Sequence, residues 1–232
     1  MKKNELKNKK EFTNKMTNQK EQVLNPSRQK TKECEYISKS AKIDPSATIY
    51  PNVFIVGDCV IGKNTVIYSG TTIENSVIGD DCKIRSSVIE NSIIKNNVSI
   101  GPFAHIRPNS VVEDECKIGN FVEIKASEIK KKTKISHLAY VGDAIVGECS
   151  NIGCGVIFAN FNGKQKNKIV VGKNCFIGSN CNLIAPLIIE NGSYICAGTT
   201  LTKNTNEFDF VIGRCRETIK PNLAKKYLKE QK

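Results

Sequence analysis

The chain has no tryptophan, only two histidines and two methionines, and 6% aromatic residues across 232 positions. A core without large rings must be aliphatic. Ile and Val dominate here, and β-branched side chains of that kind favour extended backbone. Two histidines are too few for a three-histidine zinc enzyme. The ten cysteines contain no CxxC pair, so the usual zinc spacing is missing as well, and no catalytic metal is expected. No stretch approaches the roughly 20 apolar residues of a membrane span. The start, MKKNELKNKKEF, is positively charged but has no apolar run after it, unlike a secretory signal. These absences predict a cytoplasmic protein with reduced cysteines, no disulfide framework and no membrane partner.

What is abundant is positive charge, +12 in all. Residues 1–33 hold ten Lys/Arg against four Glu, and residues 214–232 hold seven against two. The excess therefore sits in the two tails, and the 180 residues between them are close to neutral. Two readings stand for the tails: solvated, partly disordered ends, or a segment that touches an anionic surface. This distribution argues against a nucleic-acid-binding body.

The body of the chain is periodic. Ile43, Ile49, Ile55, Ile61, Ile67 and Ile73 stand six apart, as do Ile94, Ile100, Ile106, Val112, Ile118 and Ile124. A third run is Val171, Ile177, Leu183, Ile189, Ile195 and Leu201. Neither a 3.6-residue period nor simple alternation gives sustained sixes. Four residues after the aliphatic the side chain is usually small, as at Ala47, Thr65 and Ser110, or it is Cys59, Cys82, Cys116, Cys175 or Cys181. Gly, Asn and Asp follow the aliphatic residues, which suits corners with unusual backbone angles.

This is the hexapeptide pattern of a parallel β-helix: an all-β fold in which three hexads close one triangular coil and stability accrues along the stack. The expected organisation is a polar Lys-rich segment over 1–40, the β-helix over 41–205 and a basic extension over 206–232. The period breaks at ANFNGKQKNK, which predicts a loop projecting near 159–168, where function concentrates on a rigid scaffold. A short helix is expected after Pro221, with Leu223, Tyr227 and Leu228 on one side.

Residues that a hexad does not need are candidates for chemistry. His137 is by itself as readily a surface residue as a catalyst. Arg107 and Lys125 each follow an inward Ile and lie one coil apart, so they stack. Two stacked cations form either a solvated basic face or the seat of an anion such as phosphate.

At these residues the sequence resembles a known family. GPFAHIRPNS, IGNFVEIK, ISHLAYVGDA, NIGCGVIFANFNGK, FIGSNCNLIAP and ICAGTTLTKN follow one another between about Gly101 and Arg214. They look like consecutive motifs of the acetyltransferase domain of the bifunctional enzymes that make UDP-N-acetylglucosamine (glucosamine-1-phosphate N-acetyltransferase / N-acetylglucosamine-1-phosphate uridyltransferase).

The resemblance implies a left-handed coil, a homotrimer with active sites between subunits, and acetyl-CoA as co-substrate. It implies His137 as general base with Glu123 near it. Glucosamine 1-phosphate would be held by Arg107, Lys125, Tyr140, Asn151 and Lys166. Acetyl-CoA would be met by Cys154 (through its backbone), Asn160, Phe161, Ser179, Ala197 and Arg214. Two departures bear on acetyl-CoA: the family usually has Ala at Cys154, and NYDG where this chain has Asn160, Phe161, Asn162 and Gly163. The Gly-rich nucleotide-binding strand–loop–helix of the uridyltransferase half has no counterpart, so acetyl transfer without uridyl transfer is expected. The alternatives are an acyltransferase for another amino sugar or nucleotide sugar, and a non-catalytic β-helix scaffold.

Overall fold

A computed structural model of the protein describes residues 36–214 and 216–228. Most of the expected 1–40 segment lies outside the described residues. From Tyr36 onward the chain visits three parallel sheets in rotation. Sheet A starts with Tyr36–Ile37 and Phe54–Val56, sheet B with Lys42–Ile43 and Val60–Ile61, and sheet C with Thr48–Ile49 and Val66–Ile67. The sheets have ten, nine and ten strands, and the fold is a left-handed parallel β-helix. The coil extends past the expected 41–205 at both ends: Tyr36–Ile37 pairs with the strand at Phe54, and Phe210–Val211 pairs with Tyr194–Ile195.

The hexad aliphatics point inward and stack in register, as in Ile89↔Ile106↔Ile124↔Val141. From Ile55 onward nearly all are fully buried, each contributing roughly 1.5–3 kcal/mol of transfer free energy. The small slot has a second role. Thr65 Oγ1 donates to Gly79 O at 2.7 Å, and Cys82 Sγ and Cys116 Sγ donate to Lys95 O and Lys130 O at 3.0 Å. A short donor there satisfies a corner carbonyl of the next coil. All eight described cysteines are free, and the five in this slot are buried. Burial pushes the Cys82 and Cys116 thiols up to about 11.

The period breaks where expected. The chain leaves sheet A after Ile157–Ala159, makes a small antiparallel bridge between Phe161 and Lys166, and re-enters sheet B at Ile169–Val171. The loop therefore springs from the corner between sheets A and B. After Pro221 the structure has one 3-10 turn, Leu223–Lys226, with Leu223, Tyr227 and Leu228 exposed.

The corner between sheets C and A needs one left-handed residue per coil. Along the stack that position is Asn52, Gly70, Ser86, Phe103, Phe121, Leu138, Gly155, Asn180 and Gly198, all at positive φ. Asn and Gly suit it, whereas a bulky side chain there costs about 1–2 kcal/mol. Three consecutive coils nevertheless carry Phe, Phe and Leu.

Candidate active site

Two groups of side chains stand out, on opposite edges of sheet A. The first lies at the corner with sheet B. Arg107 and Lys125 stack as the period predicts, since Ile106 pairs with Ile124. Their charges do not face each other unbalanced, because each takes a carboxylate from the coil above. Arg107 Nη1 donates to Glu123 Oε1 at 2.7 Å, and Lys125 Nζ donates to Asp143 Oδ2 at 3.2 Å. The bond to Glu123 raises the Arg107 pKa further.

Tyr140 and Asn160 complete this group. Asn160 is 6% exposed. Its Nδ2 donates to Asp143 Oδ2 and approaches the Tyr140 hydroxyl at 3.4 Å. The bridge at Phe161 folds the loop back so that Lys166 meets Lys125. The closeness of the two amines lowers the Lys166 pKa, while Asp143 favours the charged Lys125. Gly142 makes room for the group. A Cβ there would lie 2.4 Å from the Tyr140 hydroxyl and 2.6 Å from Asn160 Nδ2.

The second group is a column along the corner between sheets C and A. Ile118, Ile135, Ile152, Ile177 and Ile195 pair in succession. Two residues beyond each stand Asn120, His137, Cys154, Ser179 and Ala197. His137 Nδ1 lies 2.8 Å from Asn120 Oδ1. The amide oxygen only accepts, so Nδ1 carries the proton and Nε2 is left as the acceptor. Arg214 Nη1 donates to Ala197 O at 3.0 Å and so joins the column. The Cys154 N–H makes no backbone hydrogen bond among the described residues.

The structure thus sorts the sequence candidates. Arg107, Glu123, Lys125, Tyr140, Asn160 and Lys166 come together at one edge, with Phe161 exposed on the loop above them. His137, Cys154, Ser179, Ala197 and Arg214 line the other edge. Asn151 sits on sheet C, paired with Lys134, in a shallow cavity with Glu115, Lys132 and Cys149. Glu123 is bound to Arg107, and the hydrogen-bond partner of His137 is Asn120. Strand Tyr140–Gly142, on the order of 10 Å of chain, separates the two edges. Within one chain His137 does not face Arg107 and Lys125. The sequence reading passed over Asn120, Gly142 and Asp143. Asn120 was findable, since it precedes His137 by one 17-residue coil.

No group of three metal-ligating side chains occurs among the described residues. No helix of the described residues is long and apolar enough to cross a membrane.

The coil and its inward hexads define a hexapeptide-repeat protein of the left-handed β-helix class. Among solved structures, the Arabidopsis UDP-N-acetylglucosamine acyltransferase shares the fold, with TM-score 0.51 at 14% identity over 74% of this chain and 69% of that one. More narrowly, residues 31–92 and 88–207 match the family described as "GMPPB C-terminal domain", and the chain belongs to that family. It is similar to the Bifunctional protein GlmU of Clostridium novyi (strain NT), with 45% identity over 84% of this chain and 43% of the relative. With that of Caldicellulosiruptor saccharolyticus it shares 48% over 80% of this chain and 40% of the relative. The chain spans less than half the length of these relatives.

Proposed function

We propose that this protein is an N-acetyltransferase that moves the acetyl group of acetyl-CoA to the amine of an amino-sugar phosphate, glucosamine 1-phosphate first among them. The observation that carries the reading is the cluster of three cations, Arg107, Lys125 and Lys166, against only two paired carboxylates, Glu123 and Asp143. A phosphate is the partner such a surface lacks. Tyr140 offers its hydroxyl to the sugar, and the buried Asn160 amide holds Tyr140 and Asp143 in place. The reading assigns acetyl transfer, and not uridyl transfer, to residues 36–214, in the cytoplasm and without a metal.

The substrate ammonium loses one proton to water, and His137 Nε2 takes a second from the amine as it attacks the thioester carbonyl. The C–N bond forms, the C–S bond breaks, and His137 returns its proton to the CoA thiolate. A positioned base of this kind supplies about 10²–10⁴ in rate. The free N–H of Cys154, one coil above His137, suits the oxyanion. Ser179, Ala197 and Arg214 extend the same column and offer acetyl-CoA a straight track.

Reacting atoms must meet within about 3–3.5 Å, and one chain keeps its base and its cations on opposite edges of sheet A. This reading places the active site between copies, in the homotrimer that the family resemblance implies. The outward face of sheet B is consistent with association: Val60, Val77 and Ile93 are exposed side by side on successive coils.

The test is release of free CoA thiol from acetyl-CoA, with and without glucosamine 1-phosphate and other amino sugars. Amine-dependent release that disappears in His137→Ala is expected. Partial recovery is expected when His137→Ala and Lys125→Ala chains are mixed and reassembled. Full activity of His137→Ala alone, or no release with any amine, overturns the reading.

A further inference from the structure

Asp143 carries a charge that its place in the backbone does not call for. The corner between sheets A and B takes one left-handed residue per coil, and the five preceding coils supply Gly57, Asn75, Asn91, Asn109 and Ala126. Asp143 follows at φ 51°, on the last coil before the chain departs into the loop. Neutral residues serve the turn on every one of those coils, so the carboxylate answers to something other than the turn.

Its oxygens reach the coil below and both ends of the loop. The carboxylate accepts from Lys125 Nζ at 3.3 and 3.2 Å and from Asn160 Nδ2. Its backbone carbonyl accepts the Ile169 N–H at 3.3 Å. Asn160 is where the loop leaves sheet A, and Ile169 is where it enters sheet B. The Asn167 N–H closes the neck on Asn160 O at 2.7 Å. The loop carries Lys166, which lies against Lys125. Like charges this close repel, so the loop needs a hold, and Asp143 is the anion that touches both Lys125 and the neck.

We propose that Asp143 is a positioning residue, which clamps the loop over 160–168 onto the sheet so that Lys166 stands beside Lys125, where the pair receives the phosphate. The inference rests on the phosphate reading above and adds the device that builds the phosphate seat. The rival is a carboxylate that only offsets nearby positive charge, and the two differ in sign. Removing a plain counter-charge leaves the cluster more positive and tightens an anion. Removing a clamp lets Lys166 swing away and weakens it.

The test is Asp143→Asn, which keeps the shape, removes the charge and suits the corner, as Asn91 and Asn109 do. Trypsin is applied to the native full chain, and cleavage after Lys164, Lys166 and Lys168 is read by peptide mass against cleavage within the coils. Loop cleavage should speed up about tenfold or more, the worth of one hydrogen bond to a charged group, with coil cleavage unchanged. Binding of inorganic phosphate, followed by calorimetry, should weaken by about the same factor. Loop cleavage at the wild-type rate overturns the proposal. Phosphate bound as tightly as by the wild type, or more tightly, also overturns it and makes Asp143 a counter-charge. Loop and coils cleaved faster together overturn it as well, because the role is then general stability. Should the variant misfold, Asn160→Ser cuts the same link from the loop side and is read in the same way. Cleavage of the resting protein needs no ligand. A wild-type chain that binds no phosphate therefore sinks the phosphate reading, while the clamp stands or falls on cleavage alone.

Discussion

His137 Nδ1 and Asn120 Oδ1 are 2.8 Å apart across one coil of the helix. This bond decides which imidazole nitrogen is free to accept a proton, and it links the proposed base to a residue that makes no other claim to function.

Asn120→Ala should leave the coil intact and lower kcat by about 10² through misplacement of the ring. Asn120→Asp sets a carboxylate beside the imidazole, which favours the protonated form. The acidic limb of the kcat profile should then move to higher pH. An unchanged limb in Asn120→Asp, with wild-type kcat in Asn120→Ala, would remove Asn120 from the mechanism.

Gly142→Ala should raise the KM for the sugar phosphate by about tenfold or more and change the unfolding midpoint little. The added Cβ meets the ends of the Tyr140 and Asn160 side chains. These can move aside, but only by leaving the positions that line the cluster. Titration of KM alongside thermal unfolding checks this; a wild-type KM counts against it.

Lys166 gives up its proton more readily than an ordinary lysine because the Lys125 amine lies against it. Phosphate binding should therefore weaken with rising alkaline pH before an ordinary lysine would lose its charge. Lys166→Arg keeps its charge throughout and should flatten the alkaline rise of KM. Identical alkaline profiles for the two proteins would show that Lys166 takes no part.

Cys82 and Cys116 have thiols pushed up to about 11 by burial, from an ordinary value of 9.0. A group whose pKa is raised on folding contributes fully below its unfolded value and loses that contribution as pH rises through the folded one. Stability should decline between about pH 9 and 11, and Cys82→Ala with Cys116→Ala should soften the decline. Among the described cysteines, a thiol reagent should label Cys149 and Cys154 first in the native protein, as read by peptide mass. Early labelling of Cys82 would mean the core is open.

The placement of Arg107 over Lys125 was legible because both occupy the same hexad phase, and a phase is a property of one dimension. The carboxylates that pair with them were not. Glu123 and Asp143 come from the next coil, and whether a side chain reaches across a coil depends on corner geometry and rotamer. Asn160 looked like part of the acetyl-CoA contact because of its motif. The fold turns it inward, where burial demands that its amide be satisfied by Asp143 and Tyr140.

The hexad by itself determined that this chain is a three-sided solenoid, which residues fill its core and where its loop departs. Burying one aliphatic residue per side has only one repeating solution. What the tertiary structure alone decided is that the imidazole and the cations lie on opposite edges of one sheet. Steps of five and six residues, and one long insertion, set the angle between distant positions, and that angle exists only once the coils have closed.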